Sequence, residues 1–145
     1  MAELDSDQPV RQGARQIPVA DGLFSWPSEE PRLIGSRCLS CGEIFFPTQM
    51  ACSFCSSTDM EETLFSGRGT LDLYTCSRYP TPGYTGPSPL CIGFIRLPEG
   101  TKVIAPLTEI DIDNLRIGME MEMIVRTVAT DQQGNDLLGF AFTPI

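Results

Sequence analysis

The clearest alternation of apolar and polar side chains lies in the C-terminal part of the chain. Met119, Met121 and Met123 fall on one face of an extended segment, and Glu120 and Glu122 fall on the other. A period of two predicts a half-buried β-strand. Core packing is the first interpretation of the methionine stripe, and a deformable interface is the second, because methionine fills irregular surfaces easily.

Four more segments complete the pattern of this C-terminal part. Residues 70–76 are rich in β-formers, residues 90–97 are mostly apolar, and residues 102–107 follow a Pro-Glu-Gly turn. Residues 137–143 form the last predicted strand, and residues 110–118 predict a helical turn between the third and fourth strands. Five strands with a short helical element at this place are the layout of an OB barrel, and a plain antiparallel sandwich is the alternative.

The N-terminal part has a different pattern. Residues 1–16 are polar without a sustained period, which predicts a flexible tail. After them, Asp21 can cap a short helical turn that carries Leu23, Phe24 and Trp26. We expect Trp26 to cover the core, with an anchoring role in a subunit interface as the alternative.

Two Cys-x-x-Cys pairs carry the strongest chemical signal in the sequence. Cys38 and Cys41 form the first pair, and Cys52 and Cys55 form the second, ten residues further on. Each pair can direct two thiolates to one side of a tetrahedron, so the spacing predicts one structural Zn²⁺ in a rubredoxin-like zinc ribbon. Iron is the alternative, because tetrahedral sulfur accepts either metal.

Two other interpretations of these cysteines fit the sequence less well. Two disulfides would suit a secreted protein, but the acidic start of the chain lacks the apolar core of a signal peptide. A thioredoxin-type redox motif would need a βαβ pattern around it, which is not predicted.

These patterns predict a mainly β protein with three parts. Residues 1–16 are the tail, residues 17–60 hold the helical segment and the zinc ribbon, and residues 61–145 form the five-stranded OB-fold domain. The polar turn at residues 56–59 would then be a joint that lets the metal-pinned ribbon move as a lid.

Composition and charge narrow the classes of partner. No apolar run approaches the roughly 20 residues that span a bilayer, so we expect no membrane segment and a cytoplasmic location. A ribbon and an OB barrel together suggest single-stranded nucleic acid, but the chain has a net charge of −9 and a single lysine. Nucleic-acid affinity depends on clustered basic side chains, so such a module is the minority interpretation.

Little in the sequence predicts catalysis by this chain alone. The chain has no histidine, and its two remaining cysteines, Cys76 and Cys91, lie in predicted strands. A cysteine nucleophile needs an activating base and an oxyanion hole, and neither is predicted beside them. We therefore predict no catalytic residue and place both cysteines in the core; a stand-alone acyltransferase that uses one of them is the alternative.

Several motifs resemble one known family. They are Arg37 before the first cysteine pair, Phe46-Pro47 after it, and the Leu115–Gly118 step into the fourth barrel strand. Over residues 17–145 the chain resembles the zinc-ribbon plus OB-fold proteins associated with acyl-CoA enzymes. Within that family it is similar to the small subunits of benzoylsuccinyl-CoA-type thiolases.

The resemblance implies a non-catalytic accessory subunit with one zinc ion, in a hetero-oligomer that processes acyl-CoA, including in aromatic acid degradation. The implied partner is a thiolase-fold subunit, or alternatively a hydratase or an aldolase, with acyl-CoA at or near the interface. Arg68 and Arg78 bracket the first barrel strand and are candidates for the CoA phosphates, because a guanidinium suits that contact. The proline-rich loop at residues 79–89 departs from the family pattern.

Overall fold

The computed structural model describes residues 15–79, 82–83 and 89–145. Most of the predicted tail and most of the proline-rich loop lie outside the described residues. The described part contains nine strands and one 3₁₀ turn: β1 Gln16–Pro18, β2 Ile34–Cys38, β3 Ile44–Phe45, β4 Met60–Leu64, β5 Arg68–Ser77, β6 Leu90–Arg96, β7 Lys102–Leu107, the 3₁₀ turn Ile112–Asn114, β8 Glu120–Thr130 and β9 Asp136–Pro144. In this part of the chain, no helix has the length and apolar character needed to cross a membrane.

Strands β5 to β9 form the predicted five-stranded barrel. Strands β5, β6 and β7 run as an antiparallel meander, and β8 and β9 form a long hairpin. The ring closes where β8 pairs with the start of β5 and where Leu107 of β7 pairs with Phe142 of β9. The 3₁₀ turn lies between the third and fourth barrel strands, as the OB layout requires. The sandwich alternative is therefore wrong.

The barrel interior is filled by the side chains that alternate inward along each strand. Met121 and Met123 are buried, which confirms core packing as the role of the methionine stripe at these positions. The larger set of buried apolar barrel residues comprises Leu71, Cys91, Ile95, Leu97, Val103, Ala105, Leu107, Leu115, Leu138, Ala141 and Phe142. Strand β1 is outside the ring and pairs in parallel with β9.

The predicted helical segment after Asp21 is wrong. The described residues contain no α-helix, and residues 23–25 instead run antiparallel to residues 32–34. The Ser25 amide donates to the Arg32 carbonyl at 2.9 Å, and the Ile34 amide donates to the Leu23 carbonyl at 2.9 Å. Pairing with the incoming strand satisfies these backbone groups, and Pro27 follows too closely for a helix to grow. Trp26 is half-buried against the core, as expected for a covering side chain.

The zinc-ribbon part is a three-stranded sheet in the order β3-β2-β4. Strand β4 pairs with β2 along its whole length, from Met60 opposite Cys38 to Leu64 opposite Ile34. The turn at residues 56–59 therefore lies inside the ribbon, and it is not a joint between the ribbon and the barrel.

Four phenylalanines join the ribbon to the barrel. Phe24 and Phe46 from the N-terminal part meet Phe140 of β9 at ring-centroid distances of 6.5 and 5.7 Å. Phe46 also meets the fully buried Phe65 at 6.4 Å, and all three contacts are edge-to-face. We call Phe24, Phe46, Phe65 and Phe140 the aromatic joint. Its packing makes one continuous core across the two parts, which argues against the lid expected from the sequence.

Candidate metal centre

The two cysteine pairs are held by matching turns. In each turn the amide of the first cysteine donates to the carbonyl five residues on, Cys38 to Glu43 and Cys52 to Ser57, at 2.8 Å in both. The carbonyl of the same cysteine accepts from the amide four residues on, which belongs to Gly42 in one turn and to Ser56 in the other.

Those fourth residues have left-handed backbones, with φ of 83° at Gly42 and 66° at Ser56. Glycine adopts this region at no steric cost, whereas serine does so at some cost. Two turns of the same shape therefore present their sulfurs to a common centre.

The four sulfurs lie where a single ion could bind all of them. All four Sγ atoms of Cys38, Cys41, Cys52 and Cys55 lie within 4.8 Å of one another. The Cys38–Cys55 and Cys41–Cys52 sulfur distances are 3.6 and 3.5 Å. A tetrahedron with metal–sulfur bonds of about 2.3 Å has edges of about 3.8 Å, so the cluster needs little adjustment to bind zinc.

Backbone amides point at the sulfurs of the two buried cysteines. The Cys41 amide donates to Cys38 Sγ at 3.4 Å, and the Phe54 and Cys55 amides donate to Cys52 Sγ at 3.3 and 3.4 Å. Hydrogen bonds to a thiolate favour its charged form. The Cys41 amide, with smaller contributions from neighbouring groups, thereby lowers the pKa of the Cys38 thiol to about 6.

The second thiol of the first pair behaves in the opposite way. The hydrogen bond from the Glu43 amide lowers the pKa of the Cys41 thiol. Desolvation and the neighbouring Cys52 and Cys38 sulfurs outweigh that bond and raise the pKa of Cys41 to about 12. Four sulfurs at this separation cannot all ionise beside one another unless a cation neutralises them. The donor set therefore fits one Zn²⁺ bound by four cysteines, a closed site without an open position for substrate, which is typical of structural zinc.

The two arginines proposed for CoA are far apart. Arg68 begins β5 and Arg78 follows its end, so roughly 30 Å of extended strand separates them. Arg68 is opposite Glu122 of β8 and lines a cleft of about 640 Å³ that also contains Arg32, Glu29 and Glu30. The structure therefore does not bring Arg68 and Arg78 together around one phosphate.

Cys76 and Cys91 form a disulfide between β5 and β6. They are register partners on neighbouring strands, and Cys91 is buried in the barrel core. The sequence placed both in the core but did not indicate their bond, because they are fifteen positions apart and only the strand register brings them together. Together with the metal cluster, this bond accounts for all six cysteines of the chain.

Two family models match consecutive parts of the chain. Residues 26–61 match the model described as the ChsH2 rubredoxin-like zinc ribbon domain. Residues 62–126 match the model described as the ChsH2 C-terminal OB-fold domain. Both descriptions agree with the ribbon, the four-cysteine zinc site and the barrel described above.

Individual relatives extend the similarity over most of the chain. A DUF35 domain-containing scaffold protein of Pyrococcus furiosus is 36% identical over 118 residues, which cover 81% of this chain and 86% of the relative. The benzoylsuccinyl-CoA thiolase subunit BbsA of Thauera aromatica is 31% identical over 79% of this chain and 78% of its own. Among solved structures, the Ltp2-ChsH2(DUF35) aldolase matches with a TM-score of 0.65 and 26% identity, over 78% of this chain and 84% of the matched chain.

Proposed function

The chain belongs to the family of DUF35 zinc-ribbon and OB-fold scaffold proteins, and from that membership we propose that it is the accessory subunit of a thiolase complex acting on acyl-CoA. In this proposal the chain binds a thiolase-fold enzyme subunit and stabilises it. The enzyme subunit carries the catalytic residues, and acyl-CoA binds at or near the interface between the two.

The observation that carries the proposal is the similarity to BbsA, a subunit of benzoylsuccinyl-CoA thiolase, over most of both chains. A second BbsA, from Geobacter metallireducens, is also similar, with 28% identity over 90% of this chain. We also propose that the complex acts on acyl-CoA, including aromatic acyl-CoA, and these relatives are the only support for that substrate class.

The cysteine chemistry supports a non-catalytic role. A thiolase-type nucleophile is a cysteine thiolate with an activating base. Here four cysteines form the metal cluster, the other two form a disulfide, and the chain has no histidine to serve as the base. These observations support the proposal that transfer of an acyl group takes place on another subunit.

An aldolase partner is the second candidate. The observation that favours it is the structural match to the Ltp2-ChsH2(DUF35) aldolase, which covers 78% of this chain with 26% identity. A single-stranded nucleic-acid module remains a third candidate on fold alone, and the net charge of −9 opposes it.

We propose that either Arg68 or Arg78 contacts acyl-CoA, because one phosphate cannot reach both. Arg68 shares its cleft with Arg32, and Arg78 is exposed at the far end of β5. Arg68→Ala and Arg78→Ala should each be assayed in the complex, and the contact is the arginine whose loss raises KM for acyl-CoA while kcat is kept.

Purification of the tagged full-length chain from its native host tests the main proposal. We expect a thiolase-fold subunit to co-purify in a fixed ratio, identified by mass, and acyl transfer to require both chains. An aldolase in its place would favour the second candidate. Acyl transfer by the purified chain alone, or its recovery without any enzyme subunit, would contradict the proposal.

A further inference from the structure

The four cysteines of the metal centre differ in their access to solvent. In each turn the first cysteine is buried, with 1% exposure at Cys38 and 3% at Cys52, whereas the second cysteine, Cys41 or Cys55, is exposed. We call Cys41 and Cys55 the outer ligands, and Cys38 and Cys52 the inner ligands. Because all four sulfurs lie within 4.8 Å of one another, one side of the centre is open to solvent and the other side is covered.

Backbone hydrogen bonds to the sulfurs follow the same division. Each inner ligand accepts from two amides, and each outer ligand accepts from one. The donating amides are those of Ser40 and Cys41 for Cys38, Glu43 for Cys41, Phe54 and Cys55 for Cys52, and Ser57 for Cys55. A sulfur lone pair that accepts a hydrogen bond has to give up that bond when it attacks an electrophile. The outer ligands are therefore both the more accessible and the less restrained nucleophiles.

Each outer sulfur contacts an inner sulfur of the other turn. Cys41 Sγ lies 3.5 Å from Cys52 Sγ, and Cys55 Sγ lies 3.6 Å from Cys38 Sγ. A disulfide bond is about 2.05 Å long, so either cross-turn pair can close after a movement of about 1.5 Å. An oxidised outer sulfur thus has a second cysteine within reach.

These features together are those of a cysteine that responds to oxidants. Susceptibility to oxidation follows thiolate character and exposure, and responsive cysteines lie beside a cysteine that can resolve the oxidised form. Hydrogen peroxide is small and uncharged, so the net charge of −9 does not repel it, whereas an anionic oxidant would be repelled. Peroxide is therefore the class of oxidant that the open side of the centre admits most easily.

We propose that the outer ligands, Cys41 and Cys55, are a site of peroxide oxidation through which the ribbon loses its metal. In the first step an outer thiolate attacks hydrogen peroxide, so that an S–O bond forms, the O–O bond breaks and hydroxide leaves. In the second step the inner thiolate of the other turn attacks the sulfenic sulfur, so that an S–S bond forms and a second hydroxide leaves. Two thiolates lose two electrons in all, and peroxide gains them.

Oxidation at this site would change the fold of the ribbon. A cross-turn disulfide leaves two of the four thiolates, which is too few for a closed four-cysteine site. Because bound zinc supplies the folding free energy of a small metal domain, the ribbon should unfold while the barrel keeps its core. A dithiol reductant and added zinc should reverse the change, since disulfides are reduced by thiol–disulfide exchange. This inference does not depend on the proposed function.

The test uses the full-length wild-type chain loaded with zinc. Hydrogen peroxide is added in steps, a zinc-binding dye measures the metal released, and dimedone traps sulfenic acids for mass spectrometry. The inner ligands, Cys38 and Cys52, are the internal control for the outer ones. Met50 is 90% exposed and can also be oxidised, so Met50→Leu is the matched variant that separates methionine oxidation from cysteine oxidation.

The position of Glu43 makes the disulfide pairing easy to read. Cleavage after Glu43 by a glutamyl endopeptidase separates Cys38 and Cys41 from Cys52 and Cys55. A cross-turn disulfide keeps the two peptides joined without reductant, whereas a disulfide within one turn lets them separate.

We expect the outer ligands to carry at least about tenfold more dimedone than the inner ones at low peroxide, because exposure governs the first oxidation. Zinc release should rise together with the joined peptides, and added dithiol and zinc should restore the metal content. Met50→Leu should change the rate of zinc release by less than about twofold, because a methionine sulfoxide leaves the four ligands intact.

Four outcomes would overturn the inference. Equal labelling of inner and outer ligands would show that exposure does not direct the reaction. Separated peptides would contradict the cross-turn step, and zinc that stays bound in excess peroxide would mean that the centre is closed to the oxidant. Loss of zinc release in Met50→Leu would assign the effect to methionine.

Discussion

The ribbon and the barrel are built from the same type of strand but are stabilised in different ways. The ribbon strands have five, two and five residues, and its buried side chains include Leu33 and the metal ligands Cys38 and Cys52. The barrel strands have six to eleven residues and enclose a dozen or so buried apolar side chains. A sheet as small as the ribbon cannot bury enough apolar area to fold alone.

The comparison shows that the two parts should respond to different chemical treatments. Zinc binding supplies folding free energy in small metal domains, whereas the hydrophobic effect supplies it in larger cores. The barrel has its own cross-link, the Cys76–Cys91 disulfide, and the aromatic joint connects the two parts. Chelation should therefore act on the ribbon first, and reduction of the disulfide should act on the barrel first.

Removal of zinc should have the largest effect. Zinc in finger-like peptides contributes about 10–16 kcal/mol, more than a small sheet gains from its own contacts, so chelation should unfold the ribbon. Amide resonances of residues 33–64 should lose their dispersion in a ¹⁵N–¹H spectrum, while those of β6 to β9 keep theirs. A ribbon that stays dispersed after complete chelation would contradict this division.

Phe65→Ala should destabilise both parts together. Phe65 is fully buried, and its ring contacts Phe46 across the joint. A Cβ on Gly35 would lie only 2.5 Å from the same ring, so the ribbon backbone approaches the ring closely. Loss of a buried phenylalanine costs about 3–5 kcal/mol. We expect the wild-type chain to unfold in one thermal transition, and the variant to unfold in a ribbon step and a barrel step.

The matched control for Phe65→Ala is Phe54→Ala. Phe54 lies in the second metal turn and is 74% exposed, so its removal creates no cavity. We expect a stability change below about 0.5 kcal/mol by calorimetry, since exposed substitutions rarely exceed this. Similar costs for the two variants would mean that the joint is not a packed core.

Reduction of the disulfide should weaken the barrel and leave the zinc in place. A cross-link that closes a loop of 15 residues contributes about 3 kcal/mol, mainly by restricting the unfolded chain. Urea denaturation with and without a phosphine reductant measures the loss, and Cys76→Ala with Cys91→Ala should abolish the difference. If both cysteines react with an alkylating reagent before reduction, the bond is absent and the prediction fails.

The metal site could be predicted from the sequence because its signal is local. Two pairs of cysteines at fixed spacing specify four ligands wherever the turns form, and the turns are short. The sequence of strands that forms the barrel could also be predicted, since the period of Met119 to Met123 and the positions of the turns mark the strands.

Features that depend on pairing between distant strands could not be predicted. The Cys76–Cys91 bond and the row of Leu73, Phe94 and Ile104 exist only in the β5–β6–β7 register, which includes a bulge between Leu71 and Leu73. The prediction of a helical turn after Asp21 was wrong for the same reason, because pairing of residues 23–25 with residues 32–34 outweighed the local helix propensity. The only sequence signal for this row of three side chains was the apolar character of both faces of β6.

The smallest effect concerns the ion pairs of Asp72, and it should distinguish barrel from ribbon in acid. The hydrogen bond from Lys102, followed by the charge of Arg96, lowers the pKa of Asp72 below its ordinary value of 3.8. A carboxylate with a depressed folded-state pKa adds stability above its unfolded pKa and loses it as pH falls through the folded value. The difference in unfolding temperature between wild type and Asp72→Asn should therefore be constant from about pH 5 to 8 and shrink below about pH 4.

Signals from β6 and β7 must be followed, because acid also protonates the zinc ligands and unfolds the ribbon. Asp59→Asn, which changes an exposed carboxylate on the ribbon, is the control, and its barrel signals should match wild type at every pH. A gap for Asp72→Asn that widens in acid would mean that the paired carboxylate does not stabilise the barrel.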